Sequence, residues 1–98
     1  MNEIIKQFFI YESTLQKAKD IEKDLSWINR YSARIEELNQ IRVNIENKDL
    51  KTLNEIVETE SRAYGWSFYP GEHGKVAEEA FWNLKKLLLN NNLISNRT

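Results

Sequence analysis

The stretch NEIIKQFFIYESTLQKAKDIEKDLSWINRYSARIEELNQIRVNIE, residues 2–46, contains neither glycine nor proline and keeps a helical spacing of apolar side chains almost from end to end. Its first half sets Ile4, Phe8, Tyr11, Leu15, Ala18 and Leu25 at intervals of three, four and seven, one stripe of a helix over residues 2–24. Its second half sets Ile28, Tyr31, Ile35, Leu38 and Ile45 on the stripe of a helix over residues 26–46, with Asp24 or Ser26 positioned to cap it. Run together, the two would form a rod of about 67 Å at 1.5 Å per residue. A domain of 98 residues does not accommodate such a rod easily. A break or kink near residue 25 is therefore expected, although no breaker marks it, and the sequence leaves one helix or two open.

Outward from this stretch the pattern continues. Glu46-Asn47-Lys48-Asp49 reads as a short turn, with Asn47 or Asp49 capping a third helix over residues 50–64 that carries Leu50, Leu53, Val57 and Tyr64 on one face. All three glycines and the single proline fall between Gly65 and Gly74. Gly65 sits where glycine stops a helix, and residues 65–74 (GWSFYPGEHG) read as an aromatic-rich loop. A fourth helix over residues 75–90 turns Ala77, Ala80, Phe81, Leu84 and Leu88 inward, and residues 91–98 read as a frayed tail. The expected fold is all-α: an antiparallel bundle of about four helices forming a single domain over residues 1–90.

Composition narrows the functional classes. Fourteen basic and fifteen acidic residues leave a net charge of −1, which gives no general attraction to nucleic acid or to an anionic membrane. There is no cysteine, hence no disulfide, thiolate nucleophile or zinc knuckle. The N-terminus MNEIIKQFFIYE has no basic n-region and no small-residue cleavage site after it, so a secretory signal is not expected. No run of eighteen apolar residues occurs, so no membrane span is expected, and a cytoplasmic location is the default.

Residues that carry chemistry are sparse. His73 is the only histidine and lacks the second histidine that a zinc-binding HExxH helix requires; it reads as a solvent-exposed turn residue. Gly71-Glu72-His73-Gly74-Lys75 has two residues where a phosphate-binding Walker loop has four between its glycines, and Val76 where that loop has Ser or Thr. Glu36-Glu37 and Glu78-Glu79 are adjacent, so on a helix they point about 100° apart and do not converge as an acid–base pair. The acids read as solvated helix faces. Catalysis, a metal site and a cofactor are not expected.

Aromatic residues and charge are unevenly placed. Tyr64, Trp66, Phe68, Tyr69, Phe81 and Trp82 lie within nineteen residues. The loop members either plug the open end of the bundle or anchor a partner. Residues 53–79 hold six glutamates against Arg62 and Lys75. That segment offers Glu55, Glu58, Glu72 and Glu79, framed by Trp66 and Tyr69, as a candidate surface for a basic protein partner. Off the main stripes stand Ile5 and Phe9 on the first helix and Trp82 and Leu89 on the fourth. They mark either a second buried face or an interface for homo-oligomer formation. Arg30, Arg34 and Lys23 share part of one face but are interrupted by acids, which argues against nucleic-acid binding.

In being short, cysteine-free, helical and acidic at one end, the whole chain resembles the helical immunity proteins of bacterial toxin systems. The resemblance is one of size and layout; no motif is matched, so no functional residue is carried over. It implies tight one-to-one inhibition of a cognate toxin, often a nuclease. The alternatives are a homo-oligomeric structural or regulatory bundle and a small-ligand or nucleotide-sequestering protein of phage origin.

Overall fold

Among the described residues four helices follow one another: α1 (Asn2–Ile21), α2 (Leu25–Glu46), α3 (Lys51–Trp66) and α4 (Gly71–Asn90). The computed structural model describes residues 2–47, 49–66 and 71–91, with side chains for all of these except 2 and 63–66. Among the described residues there is no strand.

The break between α1 and α2 is made without glycine or proline. Glu22 folds its carboxylate back so that Oε1 accepts the N–H groups of Lys23 (3.0 Å) and Asp24 (3.1 Å). Asp24, in extended conformation, then caps α2 by accepting the Ser26 N–H at 2.9 Å. Three of the donors left over where one helix stops and the next starts are thus satisfied by two neighbouring acids. At the next joint Asn47 closes α2, and the side chain of Asp49, rather than Asn47, accepts the Lys51 N–H at 3.3 Å at the start of α3.

Apolar stripes assemble the bundle. Ile4, Phe8, Tyr11, Leu15 and Ala18 of α1 meet Tyr31, Leu38, Ile41 and Ile45 of α2, Leu53 and Val57 of α3, and Ala77, Ala80, Phe81, Leu84 and Leu88 of α4 in one continuous core. Each large side chain so buried contributes about 1.5–3 kcal/mol relative to exposure. α1 is the central element, lying against α2 on one side and most extensively against α4 on the other, while α3 touches α2 and α4. Directions follow from the contacts. His73 at the start of α4 reaches Glu22 just past the end of α1, and Gln7 Nε2 donates to the Ala80 carbonyl at 3.0 Å. Arg42 late in α2 pairs with Glu12 of α1, so neighbours run antiparallel. The Cα envelope measures 37 × 27 × 17 Å, a slab about two helices thick.

Several expectations are corrected. α1 stops at Ile21 rather than 24, and Leu25, which the spacing put on its stripe, is 69 % exposed because the break turns α2 away from that line. Gly65 does not stop α3, which continues to Trp66; α4 starts at Gly71, so residues 71–74 belong to a helix instead of the loop expected over 65–74. Gly71 has φ of +71°, the conformation that favours glycine, and a Cβ there would meet the His73 ring at 2.8 Å, so any other residue would also have to displace the imidazole folded over it. The expected aromatic roles of Phe68 and Tyr69, and the frayed tail beyond Asn91, lie outside the described residues.

Candidate functional site

Carboxylates sort into two groups. Glu12, Glu22 and Glu60 point inward and are committed: Glu12 to Arg42, Glu60 to Arg34, and Glu22 to His73 with Oε2 to Nε2 at 3.0 Å. Glu12 and Glu60 are buried, which corrects the reading of the acids as solvated faces. Charge is tolerated at such depth because an opposite charge lies against it. The position was detectable: Glu12 stands four after Phe8 and three before Leu15, and Glu60 seven after Leu53 and three after Val57, both on core stripes.

Most of the remaining acids are exposed, and one of these, Glu37, pairs with Arg34 at 2.8 Å. Glu55 on α3 and Glu72 and Glu79 on α4 are exposed and Glu58 is half-buried; none is ion-paired with another described residue. They stand on two adjacent antiparallel helices, on which Glu58 and Glu79 are each eight residues from the ends that face residues 67–70. Trp66 closes α3, but its side chain, and Tyr69 altogether, lie outside the described residues.

The off-stripe apolar residues divide. Ile5 and Phe9 are half-buried against the core, the second buried face of the two alternatives. Leu89 is half-buried, whereas Trp82 is 37 % exposed. The Trp82 indole is nonetheless held: Nε1 donates to Glu78 at 3.2 Å, Lys85 Nζ lies 5.3 Å from its ring centroid, and Phe81 meets it edge-on at 5.0 Å.

His73, expected as an exposed turn residue, joins three elements instead. Its ring is 6.4 Å from that of Tyr31 in α2 and bonded to Glu22 in the α1–α2 joint. The Asp24 N–H foremost, and then the His73 imidazole, hold the Glu22 carboxyl below the usual glutamate range, against a smaller opposing pull from burial.

An open groove of about 520 Å³ runs between α1 and α2, lined by Phe9, Glu12, Ser13, Lys17, Ile35 and Arg42 among others. A second hollow of about 430 Å³ adjoins it, sharing Phe9, Ser13 and Lys17 and adding Lys6 and Ile10. Sequence reasoning did not single out this groove; its residues come from two helices whose relative rotation depends on the break at residues 22–24.

No known protein family, curated protein or solved structure matches the chain. Among the described residues no group of three or more His, Asp or Glu side chains is gathered as metal ligands, and no helix is long and apolar enough to cross a membrane.

Proposed function

We propose that the chain is a stoichiometric protein-binding inhibitor that engages a basic protein surface through the exposed carboxylates of α3 and α4, in the manner of an immunity protein neutralising a toxin in the cytoplasm. The observation that supports it is that Glu55, Glu58, Glu72 and Glu79 gather on two adjacent helices outside any ion pair with a described residue, whereas the buried Glu12 and Glu60 are each matched by an arginine. Glutamates left unmatched on adjacent helices create a potential that a basic partner relieves on binding.

Rim charges of this kind act chiefly on association, because they are screened beyond about 8–10 Å at physiological salt. Aromatic anchors act on dissociation, where desolvated contact is lost. The test is affinity capture of the partner from the source cells with wild type and with a Glu58→Lys/Glu72→Lys variant, followed by binding kinetics on the purified pair. The expected result is a 1:1 complex in which the partner's activity is blocked. Its association rate should fall with salt, and the charge reversals should slow it while leaving the off-rate nearly unchanged. Trp66→Ala should instead speed dissociation. Association indifferent to both salt and charge reversal, or a complex that leaves the partner fully active, rejects the reading.

A further inference from the structure

The groove between α1 and α2 has a charge opposite to that of the acidic surface and shares no residue with it. Its most constrained member is Arg42. The guanidinium carbon lies 5.4 Å from the Phe9 ring centroid, and Nη2 contacts Glu12 Oε1 and, at 3.3 Å, Asn39 Oδ1. These contacts hold the planar group in one orientation while 44 % of its side chain stays exposed. Its Nε and Nη1 donors carry no bond to another described residue, so they remain available on a guanidinium already ordered.

Lys17 lines the groove and the adjoining hollow, Lys6 lines the hollow, and neither is ion-paired with a described residue. Three cations thus face one carboxylate, Glu12, which is already matched by Arg42. Phe9 and Ile35 supply half-buried apolar walls beside this positive rim. A volume of about 520 Å³ falls in the range of small-molecule sites. A cationic ligand would be repelled, and a neutral one would leave Lys17 without an opposite charge and the guanidinium donors with the weaker, uncharged kind of acceptor.

We propose that this groove binds a small organic anion with a flat apolar body, its phosphate or carboxylate on Arg42 and Lys17 and its body against Phe9 and Ile35. The two anion chemistries share the same fork of donors. This assignment stands apart from the acidic surface, so either can fail without the other.

The test uses the whole chain, isotopically labelled, and follows its amide NMR signals during titration with four probes: AMP, indole-3-acetate, adenosine and inorganic phosphate. AMP carries body and phosphate, indole-3-acetate body and carboxylate, adenosine only a body, and phosphate only the charge. Saturable shifts are expected with AMP or indole-3-acetate, centred on residues 9, 13, 17, 35 and 42, at least about tenfold tighter than with adenosine or phosphate. Whichever of the two binds identifies the anionic group. Ser13→Trp, which fills the groove from an exposed position, should abolish binding, and Lys17→Glu, also exposed, should weaken it about tenfold. The proposal is overturned by the absence of saturable shifts with both anions up to about 10 mM, an affinity too weak to matter. Equal binding of adenosine or phosphate, shifts centred elsewhere, or wild-type affinity in both variants overturns it as well.

Discussion

Glu60 is a carboxylate on a core stripe with only 4 % of its surface exposed, and its tolerance rests on Arg34 of the neighbouring helix. Removing one member of such a pair leaves an uncompensated charge, so Arg34→Met should cost about 3 kcal/mol or more in urea unfolding. Replacing both, as Arg34→Met with Glu60→Leu, should recover most of that loss, since the pair's attraction does little more than offset the cost of desolvating it. A double variant as unstable as the single one would show that the pair contributes stability of its own. Glu22 makes a different prediction. Its carboxyl titrates lower in the folded chain than in the unfolded one, held down foremost by the Asp24 N–H and then by His73. The ionised form therefore contributes stability that is fully present above the unfolded value, about 4.5, and is lost as pH falls through the lower folded value. Urea midpoints of wild type and Glu22→Gln should differ at pH 6–7 and converge in acid; a gap that persists or widens in acid contradicts the assignment. These residues also show where reading the sequence stopped short. Position on a stripe was visible for Glu12 and Glu60, but which cation neutralises each depends on how α1 and α3 face α2. That is a tertiary fact with no local trace.

At the scale of elements, the helices were legible wherever apolar spacing ran unbroken, because the 3.6-residue period is a direct consequence of burying one face. The ends were not. The α1–α2 break depends on Glu22 and Asp24 satisfying backbone donors, and nothing in their local sequence sets them apart from the other acids of the stretch. The start of α4 was hidden by Gly71 and Gly74, which read as loop until the imidazole folded over Gly71 is seen. Within α4 two successive aromatics have opposite roles. Phe81 is fully buried and 5.6 Å from the Tyr11 ring centroid, whereas Trp82 lies across the helix and is over a third exposed. Phe81→Ala should cost about 3–5 kcal/mol. Trp82→Ala should cost no more than about 1–2 kcal/mol, its indole being only partly withdrawn from water. Paired thermal or urea melts measure both. A Trp82 variant that unfolds as readily as the Phe81 variant would make the indole a core element and remove it from any interface.

At the scale of the molecule, a groove bearing Lys17 and Arg42 lies between α1 and α2 and a set of glutamates outside any described ion pair stands on α3 and α4, although each helix pair also exposes charges of the other sign. The near-neutral net charge does not reveal such local groupings, because a sum over the chain carries no information about which side chains end side by side. The acidic segment was apparent from the sequence since it is contiguous there; the basic groove was not, since Lys17 and Arg42 come together only through folding. A bundle about two helices thick exposes part of every helix, so both surfaces sit on the outer faces of elements whose inner faces form the core.

The arrangement of α1 between α2 and α4 bears on how the chain is made. Its widest contact is with the helix furthest from it in sequence, as the bond from Gln7 to Ala80 illustrates. At synthesis rates of about 5–20 residues per second, some 70 residues separating Ile21 from Asn90 take about 4–14 s to follow. Through that interval the nascent stripe from Ile4 to Ala18 has only α2 to shelter it, and the face destined for Phe81 and Leu84 stays wet. The bundle is thus closed by its last helix, and until then the growing polypeptide presents the kind of surface that chaperones hold and that neighbouring nascent chains can aggregate upon.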